Sequence, residues 1–213
     1  MIIAGDWDHL KRDYYGGVLS EQYFRVESWA LHPDYPNVTS LNDINVLFLQ
    51  KGETGFHANG FVIVKLNQPI KYTSCVRPAC LTNQINDMSR SPCGISDCMM
   101  TGWGNSENGD LKDFLQQARL NMPNVETCEA IEYYGAKLES LPAKTTCAVS
   151  PARPRAFHCV GDQGGPVVCK GSDGRWTLRG SVLARLLCDS GKPVPVADVT
   201  QVMDWVNETI RNL

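Results

Sequence analysis

Nine cysteines in 213 residues are the strongest constraint on what this chain can fold into. Such a density suits an oxidising compartment, where disulfides supplement the packing of a core. Two features pull the other way. The count is odd, and the opening Met1 to Asp6 has no apolar core long enough for a secretory signal. A secreted composition therefore meets a start that is not secretory.

Composition narrows the classes. With 43% hydrophobic and 20% charged residues, the chain is globular and long enough for one large domain or two small ones. The formal charge is -3 and no basic run stands out, which argues against nucleic acid as a partner. The longest apolar patches, Val46 to Leu49 and Phe61 to Val64, are far too short to span a bilayer, so no membrane span is expected.

Short runs rich in Val, Ile, Tyr and Phe recur between Gly, Pro, Asn and Asp: Tyr23 to Val26, Phe61 to Leu66, Leu115 to Met122, Val167 to Lys170 and Trp176 to Leu183. Many short strands at this spacing predict an all-β sandwich or barrel. Helical spacing comes last, with Val199, Val202, Met203, Val206, Ile210 and Leu213 on one face and Gln201, Asp204, Asn207 and Arg211 on the other. Gln50 to Asn59 reads as a loop insertion between two strand-like runs, and Pro151 to Arg155 as an exposed loop.

The segment Cys159-Val160-Gly161-Asp162-Gln163-Gly164-Gly165-Pro166 resembles the nucleophile motif of the chymotrypsin/trypsin-like serine proteases, Gly-Asp-Ser-Gly-Gly-Pro after a cysteine. Cys98-Met99-Met100-Thr101-Gly102-Trp103-Gly104 is similar to that family's Gly-Trp-Gly turn, and His32-Pro33-Asp34-Tyr35 and the helix around Trp205 match it too. Asn108 to Leu111 and Leu115 to Ala118 resemble the elastase-like branch. The likeness runs from about Ala4 to the end. It implies an all-β, chymotrypsin-like double β-barrel closed by a C-terminal α-helix, with the first barrel incomplete. The expected divisions of this 1–213 domain are a first-barrel remnant over 1–95 with the insertion near 50–59, a second barrel over 96–199, and a helix over 200–213.

Acyl transfer by that template needs a hydroxyl nucleophile, an imidazole base and an orienting carboxylate. Gln163 stands at the serine position, and a carboxamide with a delocalised nitrogen lone pair cannot serve as the nucleophile. The family's histidine segment belongs upstream of Met1, and His9, His32, His57 and His158 lack its context. For the acid, Asp43 in Asn42-Asp43-Ile44 is one candidate; if the strand is instead Gly60 to Leu66, Gly60 stands there. Gly161 and the Gln163 backbone are the remnant of an oxyanion hole, and Gly164 and Gly165 allow the tight turn. In the pocket, Phe157 falls where Asp, Ser or Gly is usual, and Leu183, Ala184 and Arg185 take the place of the Ser-Trp-Gly edge. Asp162 lacks the freed N-terminal amine that pairs with its equivalent in activated members. A buried unpaired acid costs several kcal/mol, so the side chain is expected to turn toward solvent or another donor.

The resemblance also pairs cysteines: Cys98 with Cys169, Cys128 with Cys147, and Cys159 with Cys188. Cys80 looks like the cysteine that tethers a propeptide, while Cys75 and Cys93 are extra and could bridge each other or Cys80. Cys75, Cys80, Cys93 and Cys98 also make two Cys-x4-Cys pairs, a spacing four zinc thiolates could use, although Cys98 has the better-supported disulfide. Neither metal nor cofactor is expected. Asn37-Val38-Thr39 and Asn207-Glu208-Thr209 are glycosylation sequons that fit a secretory, extracellular route.

Three functions remain open. The first is a catalytically dead homologue that binds a protein partner or regulates it; the second is a fragment of a longer secreted chain; the third is a working serine endopeptidase, as family membership alone implies.

Overall fold

Alternation of side chains builds the second half of the chain into a barrel. The computed structural model describes residues 1–35, 60–81, 95–105, 110, 112–124, 127–128, 132–133, 136–137, 143–151, 161–183 and 193–213. In its chain order, β1 to β6 are Ile2–Ala4, Tyr14–Tyr15, Val18–Leu19, Gln22–Phe24, Val26–Leu31 and Val62–Leu66, and β7 and β8 are Ile95–Gly102 and Gln116–Met122. After the short β9 and β10 (Glu132–Tyr133, Ala136–Lys137) come β11 Thr145–Ala148, β12 Pro166–Lys170, β13 Trp176–Val182 and β14 Val194–Asp198.

Six of these strands form one antiparallel sheet in the order β11-β14-β13-β12-β7-β8. The sheet curls until its edges meet, where Asn121 and Val149 each donate an N–H to the other's carbonyl at 2.8 Å. Along β8, Ala118, Leu120 and Met122 point inward while Gln117 and Arg119 face water, the two-residue period of a half-buried strand. They meet Cys98, Met100, Ala148, Val167, Cys169, Val182, Val194 and Val196 in one apolar core. Truncating the fully buried Leu120 to Ala would cost about 2–5 kcal/mol.

β14 is covered on both sides, which is why Val-Pro-Val-Ala reads as a continuous apolar run rather than an alternation. Val194 and Val196 face the barrel core, whereas Ala197 joins Val199, Val202, Met203 and Val206 under the C-terminal helix. That helix opens with a 3-10 turn over Val199–Val202, capped by the Asp198 carboxylate accepting from the Thr200 N–H at 3.0 Å, and continues as α1, Met203–Asn212.

The first half is built from smaller pieces. β1 pairs with β4, β2 with β3 and β5 with β6, each as a separate two-stranded sheet. The β2–β3 hairpin turns through Gly16 and Gly17 at φ +59° and +82°, the paired left-handed conformations of a type I′ turn. The Phe61 to Leu66 expectation is met by β6, but the run Tyr23 to Val26 is two strands. Arg25 breaks it, because Asn67 holds that residue from outside the sheet: its carboxamide accepts from the Arg25 N–H at 2.8 Å and its own N–H donates to the Arg25 carbonyl at 3.0 Å.

Two disulfides are in place, Cys98–Cys169 across β7 and β12 and Cys128–Cys147. Cys98 is therefore unavailable to zinc, which overturns the four-thiolate alternative. Cys75 and Cys80 hold free thiols, so neither bridge considered for Cys75 is made. Cys80 instead carries the chain onto the barrel, its N–H donating to the Trp176 carbonyl at 3.0 Å and its carbonyl accepting from Leu178 at 2.9 Å. Cys93, Cys159, Cys188 and the Gln50 to Asn59 insertion lie outside the described residues.

Candidate active site

Pairing of β12 with β7 brings the loop at Gly161 to Gly165 against Gly102, Trp103 and Gly104. Gly161 and Gly164 sit at φ +106° and +80°, conformations that a Cβ disfavours. Within the turn Gly165 N–H donates to the Asp162 carbonyl at 3.0 Å, and the turn is pinned to β13 by Gly164 N–H on the Val182 carbonyl (2.9 Å) and Val182 N–H on the Gly165 carbonyl (3.0 Å). Gln163 is thereby held at an exposed tip.

Asp162 is buried to 6% exposure and accepts from the Gly104 N–H at 2.9 Å. Of the two destinations expected for it, the other donor is correct and solvent is not. The Met1 amine is not its partner, since Met1 is 83% exposed. Room for the carboxylate comes from missing side chains: a Cβ on Gly102 would lie 1.9 Å from its Oδ1 and one on Gly104 would lie 2.4 Å from its Cγ.

The Gln163 side chain folds back on its own loop. Its Oε1 accepts from the Gly161 N–H at 3.2 Å. Gly161 and Gln163, named from the sequence as the oxyanion-hole remnant, are thus brought into direct contact. Leu183 packs beside the C-terminal helix cluster, with its N–H on the Pro195 carbonyl at 3.1 Å. Gly60 is half-buried just before Phe61. Asp43, Phe157, Ala184, Arg185, His57 and His158 lie outside the described residues.

Neither described histidine is bonded to this loop. His9 Nδ1 lies 3.0 Å from the Asp113 carbonyl, and its ring meets Trp103 edge-on. His32 is 4% exposed, with ring centroids 4.9 Å from Trp205 and 6.3 Å from Phe61. Its Nδ1 accepts from the Asp34 N–H at 3.2 Å, and the Lys144 ammonium stands 3.5 Å from Nε2 and 3.3 Å from the Asp34 carboxylate. Burial and then the Lys144 charge hold the His32 pKa below the ordinary imidazole value, against a smaller opposing pull from Asp34.

Sequence reasoning missed one acidic group. Asp6, Asp13 and Glu21 bring carboxylate oxygens within 4.8 Å of one another, the oxygen donor set a hard divalent cation takes. The chain already uses three of these oxygens. Asp13 accepts from the N–H groups of Trp7 and Asp8, and Glu21 from the Asp13 N–H and the Tyr23 hydroxyl. Among these three side chains, only Asp6 Oδ1 is buried without a partner. Burial, then Glu21 and Asp13, raise the Asp6 pKa. The trio is assembled by β1 pairing with β4, Ala4 opposite Gln22, and by the hydrogen bonds of Asp13, so its spacing carries no periodic signal that a linear reading could find.

Comparison with known proteins places this site in context. The Trypsin family model matches residues 8–206. Ovochymase from Halocynthia roretzi is 29% identical over 211 residues, covering 98% of this chain and 12% of that protein. Transmembrane protease serine 11C from Mus musculus is 30% identical over 164 residues, covering 76% of this chain and 36% of that protein. The chain thus spans well under half the length of either relative. The family match extends across the barrel, the Gly-Trp-Gly turn and the loop that holds Gln163, and on that match the chain belongs to the trypsin family of serine proteases.

Proposed function

We propose that this trypsin-family domain is catalytically silent and serves as a binding or regulatory module for a protein partner in an extracellular, oxidising setting. The observation that carries this reading is Gln163 at the tip of the Gly161 to Gly165 turn, where the family motif calls for serine. The turn is kept while its reactive group is replaced by a carboxamide that no base can activate at neutral pH. Phe157, where the resemblance implies Asp, Ser or Gly, supports the same conclusion, and Asp43, or Gly60 in the alternative reading, stands at the acid position. Two disulfides and the Asn37 and Asn207 sequons support the setting.

The test is chemical. An active-site-directed phosphonate should leave the protein unlabelled, and peptide substrates should not be turned over. Labelling of the wild-type chain would establish the competing reading, a working serine endopeptidase. Gln163→Ser in the 213-residue chain is expected to stay inactive, because neither described histidine is bonded to this loop and a hydroxyl without a positioned imidazole lacks its base; hydrolysis by that variant would show that a base reaches position 163.

The small share of each relative that the chain matches, 12% and 36%, favours a second reading in which these residues act as one unit of a longer secreted chain. Sequencing of the transcript upstream of Met1 decides it.

A further inference from the structure

The two N–H groups that would polarise a substrate carbonyl in this fold are those of the nucleophile position and of the residue two before it, here Gln163 and Gly161. The Gly161 N–H is already taken, by Oε1 of the Gln163 side chain at 3.2 Å. Among the described residues no hydrogen bond reaches the Gln163 N–H. Successive backbone N–H groups presented by a turn with a left-handed glycine form a concavity that attracts oxygen acceptors, and Gly161 at φ +106° provides that conformation.

We propose that the Gln163 carboxamide is a tethered carbonyl that occupies the oxyanion pocket of its own loop and closes it to carbonyl and carboxylate ligands. The acceptor has the chemistry of the group this pocket would take, a neutral amide C=O. Its length matters as well: serine or alanine at 163 has no carbonyl to fold back, while glutamate keeps both the reach and the acceptor. Burial of Asp162 on the Gly104 N–H fixes the backbone between the two N–H groups, so the pocket and its plug come from one rigid turn. The inference rests on the catalytically silent reading and adds that the site is self-occupied as well as lacking a nucleophile.

Solvent exchange of the Gly161 amide in the isotope-labelled 213-residue chain tests this. Exchange should rise roughly three- to tenfold in Gln163→Ala and Gln163→Met, the loss expected for one net hydrogen bond, and stay slow in Gln163→Glu. Titration with acetate should shift the Gly161 resonance saturably in Gln163→Ala and leave it unmoved in the wild type. Unchanged exchange in the Ala and Met variants overturns the proposal. Faster exchange in all three variants, glutamate included, also overturns it, because the loop rather than the acceptor would then be responsible. A protein that resists the phosphonate yet shows an unprotected Gly161 defeats only the self-occupancy; a protein that is labelled while Gly161 is protected defeats only the catalytic silence.

Discussion

A carboxylate placed inside a loop needs a donor and also empty space, and at Asp162 both come from glycines at and just past the end of β7. Gly104 donates its N–H, and the absence of a Cβ at Gly102 and Gly104 leaves the volume that the carboxylate fills. Gly104→Ala should therefore destabilise the fold by about 1–3 kcal/mol, the usual cost of overpacking, read from chemical denaturation. The cost should shrink when Asp162→Ala is combined with it, because the two residues share one cavity and their effects cannot be additive; full additivity would show that the clash lies elsewhere. None of this is legible along the chain, since 58 residues separate donor from acceptor. The left-handed glycines of the motif, by contrast, were readable as a turn from sequence alone.

His32 makes the second argument at the scale of one residue. Its Nδ1 accepts a backbone N–H and its Nε2 faces an ammonium, so protonation would lose the first interaction and add repulsion to the second. The folded-state pKa is accordingly lowered, mainly by burial and next by Lys144. A base whose pKa falls on folding binds protons more readily when unfolded, so its contribution is full above the unfolded value, about 6.5, and is lost as pH falls through the folded value. Denaturation midpoints should drop on acidification below about pH 6.5, and His32→Gln should flatten that part of the profile. An unchanged slope in the variant would remove His32 from the cause.

At the scale of elements, the strands β6, β8, β12 and β13 were legible because each buries alternate side chains or sits in an apolar run bounded by turn residues. The helix was legible in place and not in phase. Met203 and Val206 are buried as expected, and Gln201, Asp204, Asn207 and Arg211 are exposed, but Ile210 is 58% exposed and Thr209 takes the inward position. The buried positions are Val199, Thr200 and Val202 in the opening 3-10 turn and Met203, Val206 and Thr209 in the α-helix, where steps of three carry the inward face to Thr209 and leave Ile210 outside it. Met203→Ala should cost about 2–5 kcal/mol, whereas Ile210→Ala should stay within about 0.5 kcal/mol, as for surface sites. Similar losses at both positions would restore the simple α-helical phase. The same limit applies to the acidic trio, where the β1–β4 pairing brings Asp6 near Glu21 and hydrogen bonds to Trp7, Asp8 and Glu21 bring in Asp13.

At the scale of the whole molecule, the two halves differ in how much of their apolar surface they hide. The second half closes a six-stranded barrel around a continuous core and cross-links β7 to β12 through Cys98–Cys169. By the chain-entropy argument a bridge spanning 71 residues contributes about 4 kcal/mol against its own unfolding. In the first half β5 and β6 pair alone, with Trp29 opposite Val64 and Leu31 opposite Val62. These four are 63%, 36%, 38% and 56% exposed in that order, while Ile63, adjacent in the strand, packs against the helix cluster. The sheet thus has one face on the C-terminal helix and one apolar face bare among the described residues. A two-stranded sheet with one covered face is marginal by itself, and bare apolar surface favours association. Native-state hydrogen exchange at increasing denaturant should show β5 and β6 opening in a sub-global step, well below the denaturant needed for β12 and β13, which exchange only on global unfolding. Sedimentation should show self-association that weakens when Trp29→Lys and Val64→Thr are combined. A single opening step shared by β6 and β13, in a chain that stays monomeric, would mean that the contacts through Phe61, His32 and Trp205 are enough to bind the two halves into one cooperative unit.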